Sequence, residues 1–103
     1  ANDFGKLELI GKSLTFEEPD HESFKSIRLS YKALDTGGTM PAVLNASNEA
    51  AVNLFLNRKI RFLDIQDLVE QCMKGHKTIQ NATLNDILNA ETWAKEAVHK
   101  LLN

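Results

Sequence analysis

Gly37-Gly38-Thr39-Met40-Pro41-Ala42-Val43-Leu44-Asn45-Ala46-Ser47-Asn48-Glu49-Ala50-Ala51-Val52-Asn53-Leu54-Phe55-Leu56 decides the fold. The glycine pair closes a helix, because glycine enters the left-handed conformation at little steric cost. Pro41 suits the first turn of the next helix, where its missing amide donor is not needed. Val43, Ala46, Ala50 and Leu54 then line one side and Leu44, Ser47, Ala51 and Phe55 widen it, so that small residues let a neighbouring helix approach closely. The stretch therefore reads as a tight helical corner leading into a close-packed helix. A later start at Asn45 or Ser47 stays open, since both are competent caps. Reading the glycine pair as a ligand loop lacks a third glycine and a preceding strand.

On the N-terminal side, Phe24, Ile27, Tyr31 and Leu34 recur at three- and four-residue steps and define one apolar face of a helix. Its start falls near Pro19-Asp20-His21-Glu22-Ser23, where Asp20 or Ser23 can accept from free amides. Residues 1–19 contain Gly5, Gly11 and Pro19 as breakers, and local period-two spacing at Leu7, Leu9 and at Leu14, Phe16. They predict an extended linker or arm that needs a surface to lie on, and residues 20–103 predict the folded unit.

On the C-terminal side, Asp64 predicts a cap, with Asp67 as the reciprocal acid and Leu63 stapling onto Leu68. Ile65, Leu68, Val69, Cys72 and Met73 form the buried stripe of that third helix, which Gly75 ends. Beyond a polar loop from His76 to Ala82, Thr83 and Asp86 mark another start, with a break near Asn89. A last helix then carries Trp93, Ala94, Ala97, Val98, Leu101 and Leu102. The expected fold is all-α, a small antiparallel helical bundle of about four helices behind an extended arm.

Composition narrows the function. The 103 residues have room for one domain, and 43% hydrophobic with 25% charged residues is ordinary for a globular chain. A net charge of -2 argues against nucleic acid as partner. The cluster Arg58, Lys59 and Arg61 is diluted by Asp64 and Asp67 and reads as a solvated helix end. The single Cys72 implies no internal disulfide. No apolar run reaches the roughly 20 residues needed to span a bilayer. Lacking a basic leader, the chain is expected not to be secreted. It opens on Ala1 and reads as processed, tagged or cut from something longer.

No catalytic constellation is assembled by spacing. His21, His76 and His99 are far apart, and none lies at ligand spacing from a histidine or cysteine. Cys72 sits on an apolar stripe without a local base, Trp93 reads as core or docking surface, and Asp64 with Asp67 reads as capping before it reads as a carboxylate pair. One cluster exceeds what amphipathicity predicts: Asn45, Ser47, Asn48 and Glu49. It admits capping and inter-helix hydrogen bonding as a structural cluster, or contact with a substrate.

Leu14-Thr15-Phe16-Glu17-Glu18-Pro19-Asp20, Ile27-Arg28-Leu29-Ser30-Tyr31-Lys32-Ala33-Leu34, Pro41 to Glu49, Ile60-Arg61-Phe62-Leu63-Asp64-Ile65 and Trp93-Ala94-Lys95-Glu96 occur in one order. Together they resemble the C-terminal part of the 1-deoxy-D-xylulose 5-phosphate reductoisomerase family. That family usually has Asn-Ala-Ala-Asn-Glu at positions 45–49, and often a proline where this chain has Lys25. The resemblance implies an enzyme of non-mevalonate isoprenoid biosynthesis that rearranges 1-deoxy-D-xylulose 5-phosphate and reduces it with NADPH. It also implies a divalent metal, magnesium or manganese, and a homodimeric parent, cytoplasmic in bacteria or in a plastid-type organelle. The nucleotide-binding and catalytic domains precede the bundle in that family, so none of their catalytic, metal or cofactor residues carries over. The expectation is a support domain that binds no cofactor by itself, is partnered by the parent's catalytic domain and is able to self-associate when detached. Two other readings stand beside it: an independent helical protein-interaction module, and a helix-turn-helix DNA binder, which lacks Arg or Lys in its second helix before Arg58.

Overall fold

The computed structural model describes residues 21–102, so the expected arm over 1–19 lies outside the described residues. Four helices follow one another: α1 His21–Thr36, α2 Met40–Leu56, α3 Asp64–Lys74 and α4 Leu84–Leu102, with no strand among the described residues. Helix α2 is central. It packs extensively on α4 and α3, α1 leans on α2 and α3, and α1 and α4 do not meet. Thr39, just before α2, lies against His76 and Ile79 beyond the end of α3, while Asn48 pairs with Gln66 near the start of α3. Helices α2 and α3 therefore run antiparallel.

The corner at Gly37-Gly38 forms as the sequence predicts. Both glycines are left-handed, at φ +73° and +56°, and the Gly37 amide donates to the Ala33 carbonyl at 2.9 Å, closing α1. Helix α2 starts at Met40 with Pro41 in its first turn, so the later start at Asn45 or Ser47 is not used. Its buried residues are Met40, Val43, Ala46, Ser47, Ala50, Ala51 and Leu54. At the far end Arg58 takes φ +61°, its amide donates to Phe55 and the Lys59 amide donates to Leu54. This is a closing motif in which glycine is the usual left-handed residue. The basic cluster thus begins as helix-end backbone chemistry.

Four local expectations change. The face Phe24, Ile27, Tyr31 and Leu34 does not turn inward: these side chains are 68%, 52%, 70% and 70% exposed, and Leu29 and Ala33 fill the contact with the bundle. The inner row is narrow enough for close approach, and Lys25, on that same row, forms ion pairs with Asp67 and with Glu70 at 2.9 Å on α3. Ser23 lies within α1 and does not precede it.

Helix α3 has Leu63 before its first residue and no side-chain cap there; Leu63 itself is largely exposed. Asp64 reaches back instead, accepting from the Arg61 amide at 2.9 Å and from its guanidinium at 3.2 Å. The arginine beside it holds the Asp64 carboxyl below its ordinary pKa. Asp67 is taken up by Lys25, so the expected reciprocal capping pair is replaced by an inter-helix one. The buried stripe of α3 is Ile65, Leu68, Val69, Cys72 and Met73, as read from the sequence.

Helix α4 is continuous, with no break near Asn89. Ala90, Ala94 and Val98 recur every four residues on its buried side, whereas Asn89 faces out. An outward asparagine lowers helix propensity by only about 0.7 kcal/mol or less, too little to interrupt a packed face. The start is as read: the Thr83 amide donates to the Asp86 carboxylate at 3.0 Å and the Asp86 amide donates to the Thr83 hydroxyl at 3.1 Å.

Candidate functional site

The cluster Asn45, Ser47, Asn48 and Glu49 lies on α2, and the helix distributes its members in different directions. Ser47 is fully buried, and its hydroxyl donates to the Val43 carbonyl at 2.6 Å within its own helix. It also lies against the Cys72 thiol, whose pKa burial pushes up to about 11. A thiol so protonated is a packing group, and its hydrogen points toward the Ala94 carbonyl, with sulfur 3.6 Å away. Asn48 accepts from Gln66 of α3 at 3.4 Å, and Glu49 faces Lys95 of α4 at 3.6 Å. Asn45 is exposed. The four side chains converge on no common point; three of them reach the helices around α2.

A second polar group, absent from the local sequence signals, gathers at the corner. Thr39 is buried; its amide donates to the Ile79 carbonyl at 3.1 Å, and its hydroxyl accepts from the Ile79 amide at 3.0 Å. The same hydroxyl is hydrogen-bonded to His76 Nε2, 2.7 Å away. Gln80 donates to the Thr36 carbonyl at 2.8 Å, so the loop after α3 is strapped across the α1–α2 corner. His76 also packs against Trp93, the two rings tilted by 42° with centres 5.0 Å apart. Two grooves flank Trp93: one of about 380 Å³ beside His76, Lys77, Asp86 and Asn89, and one of about 270 Å³ beside Cys72, Glu96 and Lys100.

Burial lowers the His76 pKa below its ordinary value. The folded state therefore favours the neutral ring, so its contribution is present above about pH 6.5 and is lost as pH falls through the lower folded pKa. Lys77 and Asp86 share the groove with it. Thermal unfolding followed by Trp93 fluorescence is expected to give a falling Tm on acidification below about pH 6.5. The His76→Gln variant, which keeps a hydrogen-bonding side chain without a titrating ring, is expected to flatten that slope.

Four acids of the bundle, Glu49, Asp64, Asp67 and Glu70, are engaged by cations. Glu70 meets Lys25 at 2.9 Å, Arg28 at 3.7 Å and Lys74 at 3.8 Å, and the Lys25 hydrogen bond keeps its pKa below the usual glutamate value. Among the described residues no group of three or more His, Cys, Asp or Glu side chains could hold a metal ion. The donor set there does not fit a divalent cation. Gly38 is likewise unsuited to cradle a phosphate, because the Ile79 carbonyl already covers the side where its Cβ would project.

The family profile of the DXP reductoisomerase C-terminal domain matches residues 3–97. This chain belongs to that family. The 1-deoxy-D-xylulose 5-phosphate reductoisomerase of Acetivibrio thermocellus is 47% identical over 102 residues, covering 98% of this chain and 27% of that protein. Its counterpart in Thermoanaerobacter sp. is 54% identical over 87 residues, covering 84% and 23%. The 1-deoxy-D-xylulose 5-phosphate reductoisomerase from Zymomonas mobilis, solved in complex with NADPH, superposes with a TM-score of 0.74 at 36% identity, covering 84% of this chain and 23% of that one. The chain thus spans about a quarter of the length of the relatives it matches. No helix among the described residues is long and apolar enough to cross a membrane.

Proposed function

We propose that this chain is the support domain of an NADPH- and metal-dependent 1-deoxy-D-xylulose 5-phosphate reductoisomerase of isoprenoid biosynthesis, and that it contributes rigidity and no reacting group. The observation that carries this reading is where its polar side chains go. Lys25 with Asp67 and Glu70, Asn48 with Gln66, Glu49 with Lys95 and Thr39 with His76 all join one element of the bundle to another. Such pairing specifies one arrangement of helices, and a body of fixed shape can hold a neighbouring catalytic domain in register. Misplacing a reacting group by about 1 Å can cost on the order of a hundredfold in rate, so bracing is itself a contribution to catalysis.

In this reading the nicotinamide cofactor and the divalent metal belong to the polypeptide that precedes the bundle. The bacterial relatives support a cytoplasmic setting, and the parent assembles as a homodimer. Titration calorimetry of the folded chain with NADPH, with and without magnesium, is expected to give no saturable heat. Stoichiometric binding would overturn the assignment of cofactor chemistry to the preceding domains.

A further inference from the structure

Phe24, Ile27, Tyr31 and Leu34 follow one another at steps of three, four and three residues, so they form a single straight row along α1. All four are more than half exposed, while Leu29 and Ala33 on the inner side are at 1% and 0%. Single exposed apolar side chains are ordinary, but a contiguous row of two aromatic and two branched aliphatic residues marks a surface that another body covers. Arg28 and Lys32 beside the row are exposed, which gives it the polar rim of a docking surface. The other exposed large apolar residues are spread over the links between helices and along α4, among them Leu56 and Phe62 around the α2–α3 link and Leu84, Leu88 and Trp93 on α4.

We infer that this row is the seat for the part of full-length family members that lies ahead of the region aligned with this chain, an inference that rests on the support reading above. The occupant follows from three observations. The matched relatives devote only 27% and 23% of their length to the region aligned with this chain, and the family is a C-terminal domain, so the remaining length lies ahead of α1. Among the described residues helix α1 comes first and stands at the edge of the bundle, out of contact with α4. Its hold on the bundle is also slight, since it gives the apolar core Leu29 and Ala33 where α2 gives six residues. A second body seated on the outer row would fix α1 from both sides.

Thiol labelling reads this directly. Cys72 is 1% exposed, with its pKa pushed up to about 11, and alkylates slowly. Ile27→Cys adds one accessible thiol without disturbing the core. Its labelling by N-ethylmaleimide, followed by peptide mass spectrometry, is to be compared in two settings: this chain alone, and the Acetivibrio thermocellus relative with this chain grafted in place of its matching C-terminal region. The expected result is fast labelling in the chain alone at every concentration and labelling about tenfold or more slower in the graft. Leu88→Cys on α4 serves as the control and is expected to label equally in both.

Equal rates for Ile27→Cys in the two settings would overturn the inference. Slow labelling in the chain alone would also overturn it, assigning the row to residues 1–20 if independent of concentration and to a second copy if it strengthens with concentration. Ile27→Asp gives a second readout: the Tm of the chain alone should hold while that of the graft falls, and a graft Tm that also holds contradicts the inference. The support reading fails separately, if the relative keeps its turnover after its matching region is removed, whatever Ile27 shows.

Discussion

Gly38→Ala is expected to lower the stability of this bundle by about 3–5 kcal/mol, a large part of what a domain of this size possesses. Gly38 sits at φ +56°, and a Cβ built there would lie 2.3 Å from the Ile79 carbonyl oxygen and 3.0 Å from its carbon. Both obstacles are backbone, so no rotamer change relieves them. The loop that carries Ile79 is pinned by the paired hydrogen bonds with Thr39 and by Gln80 on Thr36, so moving it aside breaks the contacts that define the corner. Gly37→Ala provides the comparison. Its φ is +73°, but the nearest atom is the end of the Gln80 side chain at 3.6 Å, so only the left-handed strain of about 1–2 kcal/mol applies. Calorimetric melting should show Gly38→Ala lowered by about 12 °C or more and Gly37→Ala by about a third of that. Equal shifts for the two would mean that the clash with Ile79 is not what constrains position 38.

Leu29→Ala is expected to cost about 3 kcal/mol, through the lost burial of the side chain and the cavity left beneath α1. Leu29 is 1% exposed and is the largest side chain that α1 sends into the core. With Ala33 as its only buried apolar neighbour on that helix, little remains to hold α1 to α2 and α3 apart from the ion pairs of Lys25 and Arg28. Those are partly solvated and contribute modestly. Ile27→Ala, only two residues away but on the exposed row, should change the chain's stability by about 0.5 kcal/mol or less. Urea unfolding of the two variants separates inner row from outer, and a Leu29→Ala midpoint matching that of Ile27→Ala would refute the assignment of faces on α1.

Helix α1 shows where sequence pattern stops. It carries two apolar rows, and periodicity favours the bulkier one, Phe24 to Leu34, because it sums hydrophobicity and knows nothing of the neighbour's shape. The narrow row with Leu29 and Ala33 faces α2 and α3, where Lys25 finds Asp67 and Glu70 more than forty residues away. The buried stripe of α3 was legible because a single stripe leaves no choice of face, although its capping was not, and the start of α4 was legible because Thr83 and Asp86 satisfy each other within one turn. Asn89 misled toward a break, since an outward polar residue costs a helix little once Ala90, Ala94 and Val98 are packed. The polar group at the corner was not legible at all. Thr39, His76 and Ile79 meet across 37 to 40 residues of sequence, and no local spacing encodes that approach. The Asn45 to Glu49 cluster was visible as an anomaly, but its dispersal among separate partners depends on how α3 and α4 surround α2.

The most direct test of the support role compares the full-length Acetivibrio thermocellus relative, the same protein cut before the region matching this chain, and the cut protein with this chain grafted on. Turnover of 1-deoxy-D-xylulose 5-phosphate with NADPH is predicted to fall on the order of a hundredfold in the cut protein and to return to within about tenfold of the original in the graft. Undiminished turnover by the cut protein, or turnover by this chain alone, would contradict it.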